Sequence, residues 1–264
     1  MRPIRVHVDE PLTPHSEHAL SRGATEHVLR VLRLRAGDAL TLFDGRGGEY
    51  PSRLLRTEKL SAIVAVDAQL AMERESPLAI TLLQGLARGE KMDWIVQKAT
   101  ELGVARIVPV AVGRSVMRMA DETRADRKLQ HWRAVAAGAC EQCGRNRLPR
   151  IVAPMDLAAA LSSLDAVDLR LLLSPDAPDA LATLARPGGE AAAPLRSVAL
   201  LIGPEGGFED EEGRAAARHG FRPARFGPRV LRTETAALAA LAALQLLAGD
   251  LQGQQAGSLT ADSG

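Results

Sequence analysis

The segment from Val198 to Phe208 constrains the fold of this chain more than any other, because it combines a buried strand, a glycine-rich turn and the start of a helix. The aliphatic run that ends at Ile202 is typical of a strand buried in a parallel sheet. Three glycines and a proline follow, and they allow tight turns and close approach of a ligand to the main chain. Open α/β sheets bind small molecules in such loops, at the carboxyl ends of their strands. The segment predicts an α/β domain with a ligand-binding loop.

Acidic residues narrow the class of ligand at this loop. Positions 209 to 212 are all Asp or Glu, so the first turn of the predicted helix is strongly negative. Negative charge there favours the helix dipole but occupies the place where a phosphate would sit. The Lys-Ser/Thr pair of a P-loop is absent as well. A neutral or cationic ligand fits better than a nucleoside triphosphate, although the glycines alone are equally compatible with a tight connection that binds nothing.

The rest of the chain after residue 77 alternates strands and helices, which indicates a mostly parallel sheet. Strands are predicted at 79–83, 106–112, 169–173, 198–202 and 225–226, and helices at 91–102, 124–142 and 233–247. The stretch 186–194, which is rich in Pro, Gly and Ala, interrupts this pattern and is predicted to be a flexible insertion. The tail at 250–264, rich in Gly, Gln and Ser, is expected to be disordered.

The first seventy or so residues have a different character, with short strands and turns. Apolar residues recur at helical spacing over His27–Arg33, with Arg30 and Arg33 on the opposite face. A strand at 39–43 is followed by glycine turns that mark a hairpin, and a further strand is predicted at 61–66. The polar stretch before Pro77 marks a boundary. We therefore expect a small β-rich barrel-like domain over residues 1–72 and an α/β domain over 78–249.

Composition excludes several classes of protein. The net charge of the 264 residues is only +1, so any nucleic-acid surface must arise from segregation of charge by the fold. Neither a transmembrane stretch nor a secretory signal is evident, and we expect a cytoplasmic protein without membrane contact. Cys140 and Cys143 lie near a helix end with no second Cys or His pair, so no metal is expected.

The helix predicted at 233–247 carries Ala and Leu around nearly its whole circumference. Such a helix must be covered on most sides, and one sheet face does not cover it alone. Thr233 at its start is a candidate cap. The pattern favours a subunit interface on this helix.

Several motifs in order resemble one known superfamily. Leu201–Phe208 and Phe226–Ala236 are similar to the paired signature loops of the SPOUT methyltransferases, and more narrowly of the 16S ribosomal RNA uracil-N3 methyltransferases. Arg88–Met92, Gln97–Gly103 and Cys140–Asn146 match the same group, as does the opening domain, so the resemblance covers all but the tail. It implies an N-terminal PUA-like β-barrel domain and a C-terminal SPOUT α/β trefoil-knot domain. It also implies S-adenosyl-L-methionine (SAM) as cofactor, a homodimer, and the 16S rRNA of the small ribosomal subunit as partner.

The resemblance assigns site residues. Uridine N3 must lose a proton and its base must be unpaired, so a positioned Arg would stabilise the developing anion. The catalytic candidates are Arg232 and Arg145 beside the uracil, with Glu234, Glu141 or water as proton acceptor. The cofactor candidates are Leu173, Ser174, Leu201, Ile202, Gly203, Pro204, Glu205, Gly206, Gly207, Phe226, Gly227, Val230, Leu231, Arg232 and Thr235, with Leu201 and Leu231 beside the adenine ring. The RNA-binding candidates are Arg22, Arg30, Arg33, Arg88, Lys91, Arg114, Arg118 and Arg147.

Alternatives remain open at this point. Arg145 is equally suited to a phosphate contact, and Glu234 to the first turn of its helix. Family members usually have Ser or Thr at the position of Glu209, so the capping box with Glu212 is expected to be incomplete. The same fold also serves methyltransferases that act on tRNA or on a ribose 2′-hydroxyl. A non-catalytic RNA-binding assembly factor is the third possibility.

Overall fold

The computed structural model describes residues 3–58, 61–114, 122–186 and 193–253. Its contacts divide the chain into two compact units, the first made of residues 1–75 and 136–148 and the second of 76–135 and 149–264. The segment 136–148 therefore belongs to the first unit, although it lies inside the range 78–249 that the sequence suggests for the second domain. Arg118, most of the insertion at 186–194 and the tail beyond residue 253 lie outside the described residues.

The first unit is built on a five-stranded sheet with the order β1-β3-β4-β5-β2. Strand β1 is parallel to β3, and the other pairs are antiparallel. The predicted strand at 39–43 and its hairpin are confirmed. The elements are β1 (Arg5–His7), β2 (Ser16–Ala19), α1 (Arg22–Glu26), a π-helical turn (His27–Val31), β3 (Ala39–Phe43), β4 (Tyr50–Thr57) and β5 (Ala62–Val66).

The helix predicted over His27–Arg33 ends earlier than expected and continues directly from α1. The π-helical turn ends at Val31, and Arg33 adopts a left-handed backbone with φ +57°. Leu34 is buried and its N–H bonds back to the carbonyl of Val28, which turns the chain into the core at this point. The expectation that Arg33 continues the polar face of a helix is therefore wrong.

The second unit is built on a larger sheet with the order β12-β10-β11-β6-β7-β8, and β9 also pairs with β7. Every pair is parallel in the described residues, so the predicted mostly parallel sheet is confirmed. Helix α3 starts in this unit, and its residues from Ala136 belong to the first. The elements are β6 (Ala79–Gly85), α2 (Lys91–Glu101), β7 (Arg106–Ala111), α3 (Glu122–Cys143), β8 (Arg150–Ile151), β9 (Met155–Asp156), α4 (Leu157–Ser162), β10 (Leu169–Leu173), α5 (Leu181–Leu184), β11 (Ser197–Ile202), α6 (Asp210–Arg218), β12 (Arg222–Ala224) and α7 (Thr233–Ala248).

One predicted strand is wrong. Strand β12 covers Arg222–Ala224 rather than Arg225–Phe226, and Arg225 forms only an isolated bridge with Ala180. Strand β12 is the edge of the sheet, where Pro223 is tolerated because one side of the strand needs no donor. The chain has already turned out of the sheet at Phe226, which leaves that residue in a loop.

Helix termini correct two further expectations. Glu209 and Glu212 form a complete capping box at the start of α6, with the Glu209 N–H 2.8 Å from Glu212 Oε2, so Glu209 serves in place of Ser or Thr. Thr233 is the first residue of α7 and not its cap, because the cap position is Arg232. The hydroxyl of Thr233 donates a hydrogen bond to the Gly203 carbonyl instead.

Among the residues that the structure describes, helix α7 is only partly covered. It buries one stripe, which includes Ala237, Leu241 and Leu244. Leu246 remains 56% exposed, and Trp94 on α2 is 47% exposed. No helix in the described ranges combines the length and apolar character needed to cross a membrane.

Candidate active site

Three loops at the carboxyl edge of the parallel sheet surround a cavity of about 1020 Å³. They follow the neighbouring strands β10, β11 and β12, whose carboxyl ends lie at one edge because the strands are parallel. The lining residues from these loops are Ser174, Pro175, Asp176, Gly203, Pro204, Glu205, Gly207, Phe208, Phe226, Gly227, Arg229, Val230, Leu231 and Arg232. The volume suits a ligand of drug-like size.

The loop after β11 is held by its own backbone and by a neighbouring strand. The N–H of Gly207 bonds to the Pro204 carbonyl at 2.9 Å, and Gly207 has φ +69°. A Cβ on Gly85, at the end of β6, would lie 2.5 Å from the ring of Pro204. Absence of a side chain at position 85 therefore lets the loop pack against the end of β6.

Paired charges lie at the cavity wall. Lys91 Nζ is 2.9 Å from Glu205 Oε1 and 3.4 Å from Glu234 Oε2. Burial raises the pKa of Glu205, but the hydrogen bond from Lys91, backbone N–H donors and the charge of Lys91 together outweigh burial and hold the pKa below its ordinary value. Arg114 Nη1 donates to the Gly206 carbonyl at 3.0 Å. Glu205 is therefore a carboxylate at neutral pH, fixed at the cavity by Lys91.

Most of the cofactor candidates line this cavity, and three do not. Leu201 is fully buried in the apolar core of the second unit and is not among the residues that line the cavity. Gly206 is not among the lining residues, and its carbonyl accepts from Arg114. Thr235 is exposed and does not line the cavity either.

The four catalytic candidates fall in different units. Arg232 is exposed and lines the cavity, and Glu234 follows it in the first turn of α7. Arg145 and Glu141 belong to the first unit. There Arg145 is buried against Glu75, and Glu141 accepts a hydrogen bond from the His7 N–H at 2.9 Å.

The RNA-binding candidates also differ in what they contact. Arg22, Arg30 and Arg33 are exposed or partly exposed on the first unit, where Arg147 pairs with Glu73. Arg88 is exposed in the second unit, where Lys91 and Arg114 form the cavity contacts described above. Arg118 lies outside the described residues.

Sequence reasoning missed one wall of the cavity. Asp210, Gly213, Arg214 and Ala217 line it from α6. They recur at positions i, i+3, i+4 and i+7, which places them on one helix face. That spacing can be recognised in the sequence once a helix is predicted after Phe208. The hydroxyl of Thr233 and the amide of Gln84, which bond each other at 2.9 Å, carried no comparable signal.

Comparison with known proteins agrees with this architecture. Residues 74–245 match a family described as an RNA methyltransferase domain, and residues 20–67 match an RNA methyltransferase PUA domain. The chain belongs to this family of RNA methyltransferases, which confirms the fold class that the motifs implied.

Individual relatives share the name of one particular enzyme within this family. A Bacillus subtilis protein named ribosomal RNA small subunit methyltransferase E is 31% identical over 85% of this chain and 89% of its own. A structure of the Neisseria gonorrhoeae protein of that name, bound to S-adenosyl methionine, has a TM-score of 0.84 at 35% identity and covers 94% of this chain and 99% of its own. A Legionella pneumophila protein solved with bound SAM has a TM-score of 0.86 at 39% identity, over 95% and 100% of the two chains.

Proposed function

We propose that this protein transfers the methyl group of SAM to N3 of a uridine in the decoding region of 16S rRNA. The observation that carries the proposal is the cavity between the loops after β11 and β12, the same two segments that resemble the SPOUT signature loops. Relatives at 35% and 39% identity, similar over nearly the whole chain, were solved with SAM. The name of the curated relatives supplies the substrate class, small-subunit ribosomal RNA.

The residues at the cavity fit SAM. The aromatic and aliphatic walls (Phe208, Phe226, Leu231) suit an adenine ring, and backbone groups of residues 202–207 and 230–232 are available for its edge and for the ribose. The Glu205 carboxylate suits a cationic ligand. Bound SAM supplies an electrophilic methyl group on a sulfonium centre.

Residues of the chain would then prepare the uridine. We assign Arg232 to the uracil carbonyl oxygens, where its charge would stabilise the anion left when N3 loses its proton. Of the two arginines that are catalytic candidates, Arg232 lines the cavity, whereas the Nε and Nη2 atoms of Arg145 are bonded to Glu75. The proton acceptor is Glu234, Glu141 or a water molecule. Alignment of N3 with the methyl carbon supplies much of the remaining rate.

Assembly follows the same proposal. The exposed apolar residues Leu246 on α7 and Trp94 on α2 favour a homodimer in which a second copy covers these two side chains. The partner is the small ribosomal subunit, approached by the exposed arginines of the first unit, and the place of action is the cytoplasm, where that subunit is found.

A gene deletion tests the proposal directly. N3-methyluridine in 16S rRNA should disappear from the deletion strain and return with the wild-type gene. Arg232→Ala should methylate subunits at less than about one hundredth of the wild-type rate, since loss of one transition-state donor typically costs that much. Persistence of the mark in the deletion strain contradicts the proposal. Nucleoside analysis of purified subunits methylated in vitro separates N3 methylation from ribose methylation, and no methylation at all with bound RNA would indicate an assembly factor.

A further inference from the structure

A buried hydrogen-bonded link joins the two loops of the cavity. Thr233, the first residue of α7, donates from Oγ1 to the Gly203 carbonyl at 2.6 Å. The same oxygen accepts from Gln84 Nε2 at 2.9 Å. Gln84 is at the end of β6, Gly203 follows β11, and Thr233 ends the loop after β12. One hydroxyl therefore connects the ends of strands β6 and β11 to the start of α7.

The direction of each hydrogen bond is fixed by chemistry. Gln84 Nε2 also donates to the Gly85 carbonyl at 3.0 Å. Because a carbonyl oxygen only accepts, the nitrogen of the Gln84 amide, and not its oxygen, must point toward Gly85 and Thr233. The single hydroxyl proton of Thr233 is directed at Gly203, which leaves a lone pair for Gln84. Gln84 is fully buried and Thr233 is 5% exposed. Water does not compete for these bonds, so the link has one arrangement.

The link sets the distance between two cavity walls. Gly203 and Thr233 both line the cavity, at the beginning of one loop and the end of the other. If the hydroxyl were removed, the Gly203 carbonyl would be left without this partner, and a rotated loop that finds another partner would become competitive. A bound ligand would then have to restore the original arrangement.

We propose that Thr233, supported by Gln84, is a positioning residue for the methyl-donor site. Its hydroxyl holds the Gly203 carbonyl against the start of α7, so that both loops stand in the binding arrangement before SAM arrives. The affinity for SAM then depends on the link, because loops that are already ordered add no ordering cost to the free energy of binding. The proposal rests on the function proposed above, since SAM is the ligand concerned.

Calorimetry of SAM binding to the full-length protein tests the link. Thr233→Val keeps the shape of the side chain and removes the hydroxyl, and it should raise the Kd for SAM by about tenfold or more, as expected for loss of one buried hydrogen-bonded group. Thr233→Ser keeps the hydroxyl and should remain within about threefold of wild type. The matched control is Thr100→Val, which removes another fully buried hydroxyl, bonded to the Val96 carbonyl in α2. It should leave the Kd unchanged.

Kinetics separate positioning from general stability. The KM for SAM should rise with the Kd in Thr233→Val, while kcat at saturating SAM falls by less than about threefold, because bound SAM restores the loops. A Thr233→Val protein that loses thermal stability but binds SAM as wild type does overturns the inference. If that variant does not fold, Gln84→Met decides the matter: an increase in Kd of about fivefold supports the link, and an unchanged Kd overturns it.

The two proposals fail in different ways. If wild-type protein does not bind SAM, the proposed function falls. If wild-type protein binds SAM and Thr233→Val binds it equally well, only the positioning role falls. In the double variant, the increases in Kd from Gln84→Met and Thr233→Val should be less than multiplicative, because both remove the same link.

Discussion

Arg145 and Glu75 form a two-point ion pair inside the first unit, with Nε 3.1 Å from Oε1 and Nη2 2.5 Å from Oε2. Burial lowers the pKa of the guanidinium, but the hydrogen bond and charge of Glu75 outweigh it and leave the pKa above its ordinary value. Arg145 is therefore a buried cation whose charge is balanced by Glu75. The pair gives this arginine a structural role whether or not it also meets RNA.

Removing the carboxylate should destabilise the protein. Glu75→Gln leaves the Arg145 charge buried with a weaker partner, and we expect the free energy of unfolding to fall by about 2 kcal/mol in urea titrations. The control is Glu211→Gln, because Glu211 pairs with Arg214 and Arg218 in solvent. It should not change the unfolding midpoint measurably. Equal effects of the two variants would contradict a structural role for the buried pair.

Gly85 should tolerate no side chain. In Gly85→Ala the new Cβ would lie 2.5 Å from Pro204, so the loop after β11 must move. We expect a loss of about 2 kcal/mol in unfolding free energy and at least tenfold weaker SAM binding. Gly138→Ala serves as the control, since a Cβ added at that position in α3 would have nothing within 4 Å. That change should raise stability by up to about 1 kcal/mol, because Ala favours helices.

The pair of Lys91 and Glu205 should make stability depend on pH in acid. The pKa of Glu205 lies below its ordinary value of 4.5 in the folded protein, so the unfolded state takes up the proton more readily. The stabilisation is thus present above pH 4.5 and is lost as the pH falls through the lowered pKa. Glu205→Gln should melt below wild type at about pH 7, and the difference should shrink toward about pH 3. A difference that stays constant would show that charge on Glu205 is irrelevant.

Arginines of the first unit should bind RNA through its backbone. Arg30→Ala should weaken binding of the protein to the small ribosomal subunit and reduce the slope of log K against log salt by about one, the value for one lost phosphate contact. Arg56, whose guanidinium already pairs with Glu17 and Glu58, supplies the control Arg56→Ala. An unchanged slope for Arg30→Ala would exclude a phosphate contact at that position.

A charge on the uncovered face of α7 should separate a dimer. Leu246→Glu would place a carboxylate in the proposed interface. Burial of a leucine side chain there would contribute about 2 kcal/mol to the free energy of association, and each of the two copies supplies one such leucine. Light scattering should report two chains for wild type and one for the variant. Leu70→Glu changes an exposed leucine of the first unit and should leave the mass at two chains. Wild type with the mass of one chain would refute the dimer.

Local patterns predicted the sheet of the second unit well. Strand β11 and its loop were identifiable because an unbroken aliphatic run is followed by glycines. The segment 136–148 was not assigned to the first unit, because the contacts that hold it there join residues about as distant as Glu75 and Arg145, which no periodicity records. The hydrogen-bond partners of Thr233 were not predicted either, because they too are distant in the sequence. A threonine at the start of a helix is typical of a cap, and only the folded chain shows its hydroxyl bonded to Gly203.

Gln84 and Thr233 are separated by 149 positions, yet they share a hydrogen bond at the wall of the cavity. During translation, the chain must therefore be synthesised beyond Thr233 before this contact forms. Until α7 has emerged, a nascent copy lacks one side of its binding cleft. Premature termination anywhere upstream of that helix should yield polypeptides without the activity proposed here, whatever else in them has folded.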